Sequence, residues 1–200
     1  MRTSAYRNLS PSFIERWSPR AFSDKDLTED ELMTLFEAAR WAPSCYNEQP
    51  WRFIYAHTNE TKDEFAKCLM ESNRIWAKNA PVLAMCFSRI YFTENNKPNR
   101  WGAFDCGAAW MSLALQAHAM GLVTHAMGGF DEDLAYQVTG VNPKNYVPLA
   151  AIAIGHPGDS AKLAPGLRER EMPSERKALD EIAYELKSKK IKKDEGGSEA

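Results

Sequence analysis

The chain has 200 residues, of which 44% are hydrophobic and 26% charged, and its formal net charge at pH 7 is −2. This is the composition of a globular protein with room for one sizeable core. The charge balance gives no reason to expect nucleic acid or a membrane surface as a partner, and the longest apolar run is far shorter than the ~20 residues of a membrane helix.

Two helices are predicted in the first 40 residues. Ser10-Pro11 starts a short one, because serine is a good N-cap and proline suits the first helical position. Pro19 is expected to stop this helix near Ser18. Thr28 to Glu31 forms a capping box, and the helix that follows has an apolar stripe of period 3.6.

A loop between two prolines follows the second helix. Pro43 ends that helix, and Pro50 starts the aromatic-rich strand predicted from Trp51 to Ala56. The uncharged polar side chains between the prolines are Ser44, Asn47 and Gln49. Alone, this segment is typical of a well-built helix-to-strand turn. It would also suit a polar surface on which an uncharged aromatic ligand rests.

The rest of the chain alternates between helices and strands. A capping box at Thr61 to Glu64 predicts a third helix, and the unbroken apolar run from Val82 to Phe87 predicts a strand covered on both faces. The segment from Asp105 to Met120 is helical, apolar nearly all round and rich in small residues, so other backbones are expected to pack closely against most of its faces. Gly121 is its natural C-terminal cap.

Two more strands and two more helices complete the pattern. The strands are Leu122 to Met127 and Pro148 to Ile154, and a short helix between them runs from the cap Asp131 to Gly140. Apolar positions from Leu179 to Leu186 predict a last helix. Few strands separated by helices indicate an α+β or α/β architecture. We expect one domain over residues 1–187 and a flexible tail over residues 188–200.

The sequence lacks the motifs of several common nucleotide-binding, metal-binding and hydrolase sites. There is no G-x-G-x-x-G, P-loop, H-E-x-x-H or G-x-S-x-G motif, and the four histidines are scattered, so no metal site is predicted. The four cysteines include no Cys-x-x-Cys pair. With no signal peptide recognised, they are expected to be reduced thiols of a cytoplasmic protein.

Two groups of arginines are candidate anion sites. Arg16 and Arg20 lie four residues apart around Ser18, so in a regular helix both guanidinium groups would share one face and suit a phosphate. The alternative is two solvated arginines on a surface turn. A second basic group precedes the last helix and comprises Arg168, Arg170 and Arg176. It could equally be a charged loop.

Two further features allow more than one interpretation. Gly128-Gly129 is either a turn that needs positive φ or a place where backbone N–H groups approach a flat ligand. Asn73 with Trp76 is either a polar contact beside an aromatic wall or a plain helix end.

Taken together and in order, these stretches resemble the FMN-dependent nitroreductase family. The matching stretches run from Arg16 to Phe22, from Ala38 to Trp51, from Asn73 to Val82, from Asp105 to Ala109, at Gly121, from Gly128 to Phe130 and from Gly155 to Pro157. The resemblance implies an α+β sandwich, with a mainly antiparallel central sheet flanked by helices, and an intertwined homodimer with FMN in each interface cleft. The helix rich in small residues would be the dimer seam.

The resemblance also implies a set of cofactor-binding residues: Arg16, Trp17, Ser18, Arg20, Pro43, Ser44, Asn47, Asn73, Gly128, Gly129 and Arg176. Arg16 and Arg176 would hold the phosphate, and Arg20 would stabilise negative charge on the reduced ring. The glycine pair would place backbone N–H near the ring nitrogen that accepts hydride. The proline loop would reach in from the partner subunit.

The implied activity is ping-pong hydride transfer from NADH or NADPH through FMN to a nitroaromatic, a quinone or a similar electron-poor acceptor. No protein acid or base is required, so no catalytic side chain is predicted. The same fold could instead carry out reductive dehalogenation or ring cleavage, or could only bind or store flavin. One departure concerns Ser174, where many relatives have lysine; Arg168 or Arg170 would then compensate. The segment expected to cover the acceptor, Tyr91 to Trp101, is the least comparable.

Overall fold

A computed structural model of the chain describes residue 4 and residues 6–186, which form seven α-helices and four β-strands. The strands are β1 (Trp51–Ala56), β2 (Val82–Arg89), β3 (Val123–Met127) and β4 (Tyr146–Gly155). The helices are α1 (Pro11–Glu15), α2 (Glu29–Arg40), α3 (Asn59–Ala66), α4 (Glu71–Ala77), α5 (Gly102–Ala119), α6 (Glu132–Thr139) and α7 (Pro165–Arg168). The predicted tail, residues 188–200, lies outside the described residues.

The four strands form one sheet in the order β1–β2–β4–β3, and every neighbouring pair is antiparallel. The central strand β2 is buried from Val82 to Ser88, as its unbroken apolar run predicted. The α+β architecture with an antiparallel sheet is therefore confirmed.

Helices cover both faces of this sheet because β2 carries apolar side chains on both sides. Leu83, Met85 and Phe87 pack into a core with residues of α3, α4 and α6. The alternate residues Val82, Ala84 and Cys86 pack into a second core with α2 and α5. This alternation follows from the two-residue period of a strand.

The long helix α5 is only half covered within one chain. Its buried stripe includes Cys106, Ala109, Leu113 and Ala117, which pack against α2 and the sheet. On the outer side, Phe104 is 77% exposed. The prediction that this helix is buried on most faces is therefore wrong for a single chain. None of the helices in the described part of the chain is long and apolar enough to cross a bilayer.

Several predicted helix ends are correct, because the cap residues act locally, but α1 ends at Glu15 and not near Ser18, and α5 starts at Gly102 and not at Asp105. The capping box of α2 forms as expected between Thr28 and Glu31. The start of α3 was predicted three residues too late, since Thr58 is the cap and Thr61 is its reciprocal partner.

The predicted last helix is wrong over the described residues. A single 3₁₀ turn, Leu179–Glu181, stands in its place, and the side chains of Ile182 and Leu186 are exposed. Short helices depend on tertiary packing of their apolar face, and here that packing is missing.

Candidate functional site

The first arginine pair lies on extended chain after α1, not on a helix. Helix α1 ends at Glu15, and Arg16 has φ −60° and ψ 126°. The prediction that helical spacing brings Arg16 and Arg20 together is therefore wrong. Even so, both arginines line the same cleft, of about 270 Å³, together with Trp17 and Ser18.

The remaining walls of this cleft come from distant parts of the chain. His125 projects from β3, and four residues after α7 close the opposite side: Arg170, Met172, Ser174 and Arg176. The lining thus includes four arginines, whose side chains are always charged. We call it the arginine cleft.

Glu171 joins the two ends of the chain at this cleft. Its Oε1 accepts hydrogen bonds from the backbone N–H groups of Arg20 (2.6 Å) and Ala21 (2.9 Å). Its Oε2 lies 3.6 Å from Arg20 Nη1, and the Glu171 side chain is only 3% exposed. A buried carboxylate is stable only when charges and donors surround it, so this contact fixes both segments.

His125 contacts the same segment at Pro19. Its Nδ1 lies 3.0 Å from the carbonyl oxygen of Pro19, and since a carbonyl can only accept, Nδ1 carries the proton. The ring packs on Trp76 with centroids 4.6 Å apart. Burial lowers the pKa of His125, and the nearby charge of Arg20 lowers it further, outweighing the bonds from Pro19 and Ser18 and the charge of Glu171, which raise it. The imidazole is therefore neutral at pH 7.

The three arginines of the second basic group have two different roles. Arg168 donates through Nη2 to the carbonyl oxygens of Ala161 (2.9 Å) and Leu163 (3.2 Å), which makes it a structural residue. Arg170 and Arg176 instead line the arginine cleft. Arg176 is oriented by bonds from Nη1 to Ser174 and Glu175.

Gly129 packs closely against Asn73. The Asn73 amide donates to the Gly129 carbonyl oxygen at 3.0 Å, and a Cβ built on Gly129 would lie 2.6 Å from Asn73 Nδ2. A Cβ on Gly128 would meet no atom of the described chain within 4 Å. Neither glycine has positive φ, unlike Gly121 and Gly140, so the positive-φ interpretation of the pair is wrong.

The proline loop is strained and anchored to α5. Tyr46, Asn47 and Gln49 all have positive φ, between 50° and 55°, which is uncommon for non-glycine residues. Ser44 Oγ accepts a hydrogen bond from Gln49 N at 3.0 Å. The loop is tied to α5 by Cys45 N, which donates to Asp105 Oδ2 at 3.1 Å.

This loop does not join the arginine cleft of its own chain. Asn47 lines a different cavity, of about 760 Å³, with Tyr46, Glu48 and the turn from Phe92 to Pro98. Glu48 fastens the turn, because its carboxylate accepts from both N and Oγ1 of Thr93. Of the predicted cofactor residues, the structure therefore gathers five in one cleft: Arg16, Trp17, Ser18, Arg20 and Arg176. Asn73, Gly129 and the proline loop lie outside that lining.

Two residues of this site had no signal in the sequence. Glu171 is one of many acidic residues, and its contact with Arg20 joins positions 151 residues apart. His125 was considered only as a metal ligand. Among the described residues no three His, Cys, Asp or Glu side chains are close enough to hold a metal ion.

Comparison with known proteins gives consistent matches over nearly the whole domain. The model of the Nitroreductase family matches residues 14–75 and 69–156. A solved structure of an oxidoreductase containing FMN is 43% identical, with a TM-score of 0.88 over 94% of this chain and 96% of that one. A CLA biosynthesis enone reductase from Lactiplantibacillus plantarum is 27% identical over 74% of this chain and 85% of that protein. A putative NAD(P)H nitroreductase from Bacillus subtilis is 26% identical over 66% and 80%.

Proposed function

This chain belongs to the nitroreductase family, and from that premise we propose that it is an FMN-dependent oxidoreductase that uses NADH or NADPH to reduce an electron-poor acceptor. The observation that carries the proposal is the arginine cleft, which is lined by four arginines from distant parts of the chain. The similarity to an FMN-containing oxidoreductase supports the choice of cofactor.

The residues of the cleft fit the chemistry of FMN. A phosphate monoester carries a charge of about −1.5 to −2 at pH 7 and accepts charge-assisted bonds from arginine. Arg16 and Arg176 would hold this phosphate, with Trp17 and Ser18 beside it. Arg20 would place its positive charge at the pyrimidine edge of the ring, held in position by Glu171.

FMN, when bound, supplies ping-pong hydride transfer between the nicotinamide and the acceptor, so the protein needs no general acid or base of its own. The chain contributes binding, orientation and a positive field around the ring. Asn73 would hold the backbone of Gly128 and Gly129 in place through its bond to the Gly129 carbonyl, keeping their N–H groups available to the cofactor.

We further propose that the active form is a homodimer. The outer face of α5 exposes Phe104 and would form the seam between subunits. The anchored loop with Pro43, Ser44 and Asn47 would then complete the partner's cofactor site. Sedimentation should show about twice the 22.6 kDa chain mass, whereas a monomer that still binds FMN would contradict this arrangement.

The acceptor class includes nitroaromatics and quinones. The relative that is an enone reductase adds activated carbon–carbon double bonds as a second candidate class. We place the protein in the cytoplasm, since all four of its thiols are free. The domain would span residues 1–187.

Spectroscopy of the purified protein tests the proposal. Protein as purified, or after addition of FMN, should show the flavin absorbance band in the blue. Mixing with NADH or NADPH in an anaerobic stopped-flow instrument should bleach that band. If neither donor bleaches it, the chain is a flavin-binding protein without this activity, and if FMN never binds, the whole proposal fails.

A further inference from the structure

A cavity of about 760 Å³ lies outside the arginine cleft, between the proline loop and the turn from Phe92 to Pro98. Two aromatic side chains line it, Tyr46 and Phe92, whose rings meet edge to face with their centroids 6.0 Å apart. Tyr46 is 91% exposed although its φ is 52°, so the strained loop holds a large ring away from the core. We call this space the loop–turn cavity, and its volume is that of a small-molecule pocket.

The charged residues of this lining suit a neutral ligand. Glu94 and Lys97 both lie on the turn and have opposite signs. The third charged residue, Glu48, has a side chain that is only 8% exposed and is bound to protein donors. Aromatic side chains pack well against other flat rings through face and edge contacts. The cavity therefore fits an uncharged aromatic molecule better than an anion.

The hydrogen bonds between Glu48 and Thr93 join the turn to the proline loop. Glu48 Oε1 accepts from Thr93 N at 2.9 Å and from Thr93 Oγ1 at 2.5 Å, and Oε2 accepts from the same N–H at 3.1 Å. Arg89 Nε lies 4.0 Å from Oε1 and balances the charge. A buried carboxylate needs such partners, and hydrogen bonds to a charged acceptor are stronger than those between neutral groups.

Other hydrogen bonds of the turn are local. Phe92 N donates to the carbonyl oxygen of Lys97 at 2.9 Å, and Asn96 N donates to the carbonyl oxygen of Phe92 at 3.0 Å. These bonds shape the turn but do not fix its position against the proline loop. The bonds from Thr93 to Glu48 do fix that position, so they set the distance between the two walls of the cavity.

We propose that Glu48 is a positioning residue that clamps the turn onto the proline loop and keeps the loop–turn cavity in shape for a flat, uncharged aromatic acceptor. This inference rests on the proposed function and the proposed homodimer, in which the proline loop carries the cavity to the partner's cofactor site. Tyr46 and Phe92 contact the acceptor. Glu48 acts through Thr93 and touches neither the acceptor nor FMN.

Kinetics with two acceptors test the clamp, because a ping-pong reaction separates the donor half from the acceptor half. The holoenzyme would be assayed anaerobically with nitrobenzene, which is flat and aromatic, and with ferricyanide, an inorganic anion that needs no aromatic pocket. Glu48→Ala should raise the KM for nitrobenzene by about 3- to 30-fold, because losing charged hydrogen bonds lowers the fraction of protein with the turn in place. The KM for ferricyanide and the rate of flavin bleaching by NADH or NADPH should stay within about 2-fold of wild type.

Binding without turnover gives a second measurement. The dissociation constant of nitrobenzene from the oxidised holoenzyme, measured by calorimetry, should rise in Glu48→Ala by the same factor as the KM. Glu48→Gln keeps one acceptor oxygen and should lie between wild type and Glu48→Ala. Glu60 is exposed on α3, and Glu60→Gln is the control for loss of a negative charge.

Thr93→Val and Thr93→Ser form a matched pair. Valine has the shape of threonine without the hydroxyl, so Thr93→Val should raise the KM for nitrobenzene, while Thr93→Ser keeps the hydroxyl and should recover most of the wild-type value. If Glu48→Ala does not fold, this pair decides the question, since equal KM values for the two variants would reject the clamp.

Three further results would overturn the inference. The first is Glu48→Ala with the wild-type KM and dissociation constant for nitrobenzene. The second is an equal rise in KM for nitrobenzene and ferricyanide, because a purely structural role would affect both acceptors alike. The third is reduced wild-type flavin that nitrobenzene does not reoxidise. Wild-type flavin that neither NADH nor NADPH bleaches would instead refute the proposed function itself.

Discussion

Adding one methyl group at Gly129 should destabilise the protein, while the same change at Gly128 should not. In Gly129→Ala the new Cβ would lie 2.6 Å from Asn73 Nδ2, so the amide must move and its bond to the Gly129 carbonyl is lost. The carbonyl keeps its hydrogen bond from Met70 N at 3.1 Å, so the cost is that of one lost neutral hydrogen bond, about 0.5–1.5 kcal/mol. For a chain of this size that corresponds to a fall in melting temperature of roughly 1–6 °C.

Gly128→Ala is the matched control, because its Cβ would meet no described atom within 4 Å and its φ is not positive. Its free energy of unfolding should be unchanged or about 0.4–1 kcal/mol higher. Urea unfolding of the apoprotein measures both variants. In a protein that already carries Asn73→Ala, the change Gly129→Ala should cost little further stability, because the colliding amide group is absent. Equal stability losses at the two glycines, or no loss at Gly129, would refute the packing argument.

FMN affinity, measured on the same variants, separates packing from cofactor binding. If the backbone at Gly128 approaches the cofactor, Gly128→Ala should weaken FMN binding without lowering stability. If Gly128→Ala binds FMN as tightly as wild type, the pair has only a structural role.

Three other predictions follow from the buried groups. Glu171→Ala should lose about 2–4 kcal/mol of stability in urea, as expected for a buried carboxylate that binds two N–H groups and a guanidinium, whereas the exposed control Glu169→Ala should lose none. His125 has a folded-state pKa below its ordinary value, so the unfolded state takes up a proton first as the pH falls below about 6.5. The free energy of unfolding should then fall by up to about 1.4 kcal/mol per pH unit. In His125→Asn this contribution to the pH dependence should be absent, and an unchanged pH dependence would contradict the assignment. Cys68, Cys86 and Cys106 are buried, and burial raises the pKa of Cys68 to about 11. Thiol titration at pH 8 should therefore find at most Cys45 reactive in native protein and four thiols after denaturation; a fast second thiol would be inconsistent with this packing.

Local signals predicted the secondary structure well wherever the decisive contacts lie within one helical turn. The capping box at Thr28 and the left-handed caps at Gly121 and Gly140 all form where the sequence placed them. The error at α3 has a local cause too, because Thr58 and Thr61 both can serve as caps and the structure uses them as a reciprocal pair.

The candidate site was only partly predictable, because its contacts are long-range. The family resemblance named Arg16, Arg20 and Arg176, and the cleft does bring them together. The reason offered from the sequence, a shared helix face, was wrong, since α1 ends before Arg16. What brings the arginines together is the pairing of Glu171 with the Arg20 backbone and of His125 with Pro19, and no spacing in the sequence encodes either contact.

The bond between Arg20 and Glu171 also sets an order of events during biosynthesis. The two residues are 151 positions apart, so at about 5–20 residues per second Arg20 emerges roughly 8–30 s before its partner is made. The sheet strands are all synthesised within that interval, while the arginine cleft still lacks one wall. A chain that ends before Glu171 contains every strand but not this wall, so a released chain truncated after Arg170 should build its core without retaining flavin.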